Sequence, residues 1–159
     1  MTPGAQIALW GLAAMAPLLL NLITRSRADA VGLAFMLLAG WLLGRILAAL
    51  AAAPESMQWY PLVDAVAGAL TFRCWQKRPE AWKLVVTFLL IGQCTLHASF
   101  WLSGPAPGAL TLYLVANNTL FALQLLSVAS PGGRRVARLF LPRLSDLAGG
   151  HRHPRAGSS

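Results

Sequence analysis

The chain has 159 residues, of which 57% are hydrophobic and only 11% charged, with a formal net charge of +8. That balance is an integral-membrane profile and excludes an ordinary soluble domain. The positive residues sit at segment ends and in the tail, so they speak for orientation and lipid contact, with no folded basic stripe for nucleic acid.

The first apolar segment, about residues 5–24, has Arg25 and Arg27 behind it and no basic region ahead of it. A secretory signal has the opposite polarity, so a retained helix with its N-terminus outside is expected. Pro17 falls inside it. A second helix is expected over about 30–53, carrying Gly40 and Gly44 as a GxxxG pair with Arg45 directly after. Pro54-Glu55-Ser56 then makes an outer turn.

Residues 57–73 decide the arrangement. The segment contains Pro61 and Asp64, yet it has about the length needed to cross a hydrocarbon core of about 30 Å. If it crosses, every one of the 13 Lys and Arg residues except Arg45 lies on one side, as the excess of basic residues in cytoplasmic loops favours. Two further helices, about 83–103 and 109–129, complete an all-α integral membrane bundle of five transmembrane helices with N-out/C-in topology. The basic stretch Arg73 to Lys83 is read as a cytoplasmic loop, and Ser130-Pro131-Gly132-Gly133 as the stop of the last helix. The transmembrane domain is thus residues 1–130 and the basic cytoplasmic tail 131–159.

In that tail Val136, Leu139, Phe140, Leu144 and Leu147 oppose Arg134, Arg135, Arg138 and Arg143 at helical spacing. The pattern suits an amphipathic turn or two on an anionic inner leaflet, or a basic tail that only sets orientation. The end of the chain reads as disordered. His151 and His153 alone are too few for a metal site. Cys74 and Cys94 fall at different depths, against a disulfide.

Ionisable groups at membrane depth face protein or water. Arg45 and Asp64 each lie nine or ten residues from the Pro54 turn and share their helix faces with small residues, including Gly68 beside Asp64. A bidentate Arg45–Asp64 pair is expected to neutralise both charges. Gln93 and His97 are four apart on one face of the fourth helix, and Tyr113, Asn117 and Gln124 line one face of the fifth. Arg45, Asp64, Gln93, His97 and Asn117 therefore form one expected polar layer, with Gly40, Gly44 and Gly68 as helix-packing positions. Such a layer serves either as hydrogen-bonded glue or as a proton or ion path. Haem wants a second axial histidine, and none lies at membrane depth. HExxH, paired carboxylates and a Ser/His/acid set are all missing from the sequence, so neither enzyme activity nor a cofactor is expected.

The segments WYPLVDAVAG (59–68), WQKRPEAWKL (75–84), QCTLHASFW (93–101) and NNTLFALQLL (117–126) resemble small multi-span membrane proteins of tailed bacteriophages and prophages. The resemblance implies the bacterial inner membrane and a role in lysis, exclusion of other phages or assembly, and the leading expectation is a non-catalytic, holin-like protein that assembles with itself or a membrane partner. A small proton or ion channel or carrier built on Arg45, Asp64 and His97 is the competing expectation.

Overall fold

The computed structural model describes residues 3–50, 59–103 and 108–148. The turns expected at Pro54-Glu55-Ser56 and at 104–107, the histidines of the tail and the end of the chain lie outside them. Five helices follow in order: α1 (Pro3–Ile23), α2 (Ala28–Leu50), α3 (Tyr60–Lys77), α4 (Ala81–Ser103) and α5 (Ala109–Ala148). Stretches of α1, α2, α4 and α5 are long and apolar enough to cross a bilayer. The chain is a small polytopic helical membrane protein.

Helix ends follow local chemistry. At the end of α1, the Ser26 N–H donates to Asn21 O at 2.8 Å and the Arg25 N–H to Leu22 O at 3.0 Å. This Schellman pattern puts Arg25 in the left-handed region, with φ 49°. Pro61 opens α3 with its ring-set φ. Pro79 disfavours helix at Arg78, which is extended with φ −148°. The short link from Arg78 to Glu80 then folds α3 and α4 into an antiparallel hairpin. Pro61 opposes Cys94, Asp64 opposes His97 and Gly68 opposes Leu90 along it.

The helices form an incomplete ring in the order α3, α4, α5, α1, α2, with only a light contact between α2 and α3. α3 runs beside α4, so its C-terminal residues Arg73, Lys77 and Arg78 reach the same end of the bundle as Arg27. We call this the basic end. The dry core lies in that half of the bundle. Ala14, Leu33, Ala34, Leu37, Val86, Leu90, Phe121, Leu125 and Val128 are all buried there.

Two expectations need correction at the basic end. First, α5 does not stop at Ser130 but continues through Pro131, Gly132 and Gly133 to Ala148. Proline in a helix removes one ladder bond and clashes with the preceding turn. Here α1 supports the disturbed turn. Asn21 Nδ2 donates to Val128 O at 2.9 Å, and Arg135 Nη1 donates to Thr24 O at 3.0 Å and also to Arg25 O. Gly132 is buried against α1, where an added Cβ would lie 2.8 Å from Leu20 Cγ. Glycine is there for close approach, not to end the helix.

Second, Lys83 is not a loop residue. Its side chain is fully buried in the first turn of α4. It is ion-paired to Asp29 of α2, lies 3.5 Å from Glu80 Oε2, and donates to Arg78 O at 3.1 Å. α3 also runs past its expected end at Arg73, so Lys77, expected in the loop, belongs to its last turn.

Candidate functional site: a cavity in the seam between two helices

In the half of the bundle opposite the basic residues, a cavity of about 860 Å³ occupies the seam between α2 and α3, which Tyr60 bridges to Gly44. Trp10, Met36 and Trp41 provide an apolar wall from α1 and α2. The facing wall is polar, with Tyr60 and Asp64 from α3, Gln93 and His97 from α4, and Tyr113, Asn117 and Gln124 from α5. Leu37, Leu90 and Phe121 line it where it meets the dry core. Leu43, Leu62, Val66 and Leu70 also line it and are about half exposed. The cavity therefore opens sideways, towards the surface that a bilayer covers.

The polar wall is wired in two strings. In the first, His97 lies between α3 and α5. Its Nδ1 is hydrogen-bonded to the Tyr113 hydroxyl at 2.6 Å, and its Nε2 stands 3.2 Å from Asp64 Oδ2. The Asp64 contact has ion-pair distance but not hydrogen-bond alignment, so this buried oxygen keeps an unfilled acceptor site. The Tyr60 ring packs 5.3 Å from the imidazole, and Phe100 stacks on Tyr113 at 4.2 Å. In the second string, Gln124 Nε2 donates to Gln93 Oε1 at 2.6 Å, and Gln93 Nε2 donates to Asn117 Oδ1 at 2.9 Å. Two amides seven residues apart on α5, Asn117 and Gln124, thus hold one glutamine of α4 in a fixed rotamer.

The expected Arg45–Asp64 pair is not formed. Both residues line the cavity, but Arg45 is exposed and makes no ion pair with Asp64. The helix faces account for this. Asp64 shares its face with Gly68 and Thr71, which are buried, and an added Cβ on Gly68 would meet Leu90 of α4 at 3.6 Å. That face is pressed onto α4, so the carboxylate meets His97. α2 contributes its glycines instead. Tyr60 lies against Gly44, with 3.1 Å from an added Cβ to Tyr60 Cε1, and its hydroxyl donates to Gly44 O at 3.0 Å. Gly40 stands opposite Val63. The GxxxG pair therefore serves the α2–α3 contact within the chain.

Of the five residues expected in one layer, Asp64 and His97 make one contact, Gln93 and Asn117 another, and Arg45 only shares the cavity. Tyr113 and Gln124 belong to the strings. Their shared face with Asn117 was the available signal. Tyr60 carried no signal beyond that of an interfacial aromatic. Arg134, Arg135 and Arg138 lie on α5 at the basic end, while the side chain of Arg143 is outside the described residues. Among the described residues, no group of three or more His, Cys, Asp or Glu could hold a metal ion. The two cysteines are free, and Cys94 Sγ donates to Pro61 O at 3.3 Å.

Compared with family models, with curated proteins and with solved structures, the chain matches none.

Proposed function

We propose that this protein is a non-enzymatic, multi-pass protein of a bacterial inner membrane that binds a small amphipathic molecule in its seam cavity. In this reading all five helices span, the N-terminus is outside and the C-terminus cytoplasmic. α3 is 18 residues long, about 27 Å at helical rise, and its acid is turned inward on α4 rather than towards lipid. The basic end is then the cytoplasmic one.

The observation that carries the reading is the sideways-open cavity with a carboxylate, an imidazole and a phenol on one wall and tryptophan on the other. Ligand sites of about 300–1,000 Å³ are mostly apolar with a few convergent polar groups. A molecule dissolved in the bilayer reaches this one without passing through water. Its apolar body meets Trp10 and Trp41, and a cationic or hydrogen-bond-donating head meets the part of the Asp64 carboxylate that the cavity leaves accessible. The dry core at the basic end makes the cavity one-sided in this conformation, which suits a binding protein or carrier better than an open conduit.

The test uses the full chain in nanodiscs titrated with tetraphenylphosphonium, a lipophilic cation, while tryptophan fluorescence is followed. Saturable quenching that is lost in Asp64→Asn is expected. Quenching that never saturates, or that is equal in the variant, rejects the reading. Liposomes then separate binding from carriage, since a carrier moves the cation or protons and Asp64→Asn stops the flow.

Assembly with itself or a membrane partner is the second reading, as the likeness to phage membrane proteins implies. It is favoured by Arg45, whose exposed guanidinium sits in an apolar span without Asp64 to neutralise it. A carboxylate of a second chain is one counter-ion that would answer it. Growth arrest and abrupt dye entry on expression, suppressed by Arg45→Leu, support this reading. Unchanged growth removes it.

A further inference from the structure

The basic end holds a second cavity, of about 360 Å³, unrelated to the seam. Arg27 and Ser26 enter it from the α1–α2 turn, Glu80 and Trp82 from the α3–α4 turn and the start of α4, and Arg134, Arg135 and Arg138 from α5. Four guanidinium groups thus face one carboxylate. Glu80 is already occupied. It is ion-paired to Arg27, lies 3.5 Å from Lys83 Nζ, and accepts from Trp82 Nε1 at 2.9 Å.

The α5 arginines are supplied differently. Arg135 spends one arm of its fork on the carbonyls of Thr24 and Arg25. Those contacts fix the side chain without cancelling its charge. Arg134 and Arg138 are four apart, hence neighbours on one helical face, and neither forms an ion pair with a described residue. This concentration of charge exists only because α5 continues past Pro131. A helix ending at Ser130 would leave these arginines on a free tail.

We infer that this cavity binds a phosphate group, presented by the headgroup of an anionic phospholipid at the membrane surface. Arginine forks match phosphate oxygens in bidentate fashion. Basic pockets between helices on the cytoplasmic side suit lipid phosphates. The volume lies at the low end of small-molecule sites, enough for a headgroup whose acyl chains run down the outside of the bundle. The inference is independent of the seam cavity and of any ligand there.

The test takes the full chain in dodecylmaltoside with phosphatidylcholine and follows thermal unfolding. One arm adds phosphatidylglycerol or cardiolipin, and the other adds inorganic phosphate. Saturable stabilisation by the anionic lipids is expected, with half-saturation shifted about tenfold or more by Arg134→Gln/Arg138→Gln. Arg73→Gln/Lys77→Gln removes equal charge from the same end outside the cavity and is expected to leave half-saturation unchanged. The single Arg134→Gln change serves if the double variant does not fold, and a shift in the same direction is then expected. An equal response to inorganic phosphate keeps the site and assigns it to a soluble phosphate. No saturable response to either, or an equal loss in Arg73→Gln/Lys77→Gln, overturns the inference.

Discussion

Asp64 stands 3.2 Å from His97 Nε2, across the α3–α4 hairpin, and makes no pair with Arg45 on α2. One consequence is a specific pattern of coupling. Asp64→Asn and His97→Gln are expected to be non-additive by about 0.5–3 kcal/mol in a double-mutant cycle, while Asp64→Asn and Arg45→Gln add to within about 0.5 kcal/mol. Chemical unfolding in detergent measures both cycles, and coupling to Arg45 instead of His97 would contradict the arrangement.

Two adjacent glycines of α5 are predicted to respond with opposite signs. Gly132→Ala puts a methyl group 2.8 Å from Leu20 Cγ, and overpacking of this kind costs about 1–3 kcal/mol. Gly133 has nothing within 4 Å of an added Cβ, so Gly133→Ala is expected to stabilise by up to about 1 kcal/mol through helix propensity. Melting temperatures of the two variants decide it. A helix that truly ended at Ser130 would make them indistinguishable.

Lys83 joins three elements, and its removal strands Asp29, while Glu80 keeps Arg27 and Trp82. Lys83→Met is expected to destabilise by roughly 2–3 kcal/mol, below the 3–5 kcal/mol typical of fully buried pairs because Asp29 and Glu80 are partly exposed. Adding Asp29→Asn to Lys83→Met is expected to recover part of that loss. A double variant less stable than the single one would mean that the pair is not the source.

Acid sensitivity follows from Glu80. Burial alone would raise its pKa above the ordinary 4.5, but the hydrogen bond from Trp82 and the charges of Lys83 and Arg27 outweigh that and hold it lower. The folded value is therefore below the unfolded one. Its contribution to stability is complete above about the ordinary value and is lost as pH falls through the depressed folded value. Glu80→Gln is expected to flatten that part of a stability–pH curve measured between neutral and acid pH. An unchanged curve would show that Glu80 contributes nothing there.

Orientation is open to direct labelling. Cys74 lies in the last turns of α3, partly exposed near the basic end. An impermeant maleimide is expected to reach it from the cytoplasmic side only. Labelling from outside would reverse the proposed topology.

Much of this molecule was legible in the chain itself. Runs of apolar residues locate the helices, because helix formation is decided within a few residues, although Pro61, expected inside the third helix, opens it. Periodicity also identified the inward faces, Asp64 with Gly68 on α3, Gln93 with His97 on α4, and Tyr113 with Asn117 and Gln124 on α5. What periodicity cannot choose is which face meets which. A short turn sets α3 directly against α4, and that gives Asp64 to His97. Likewise Pro131-Gly132-Gly133 reads locally as a stop. Only the approach of α1, with Asn21 and Arg135 holding the disturbed turn, makes it a place for close packing. Local sequence determined the helices and their faces. The seam cavity and the arginine cavity came from packing of whole helices, since each is a gap between surfaces that lie far apart in the chain.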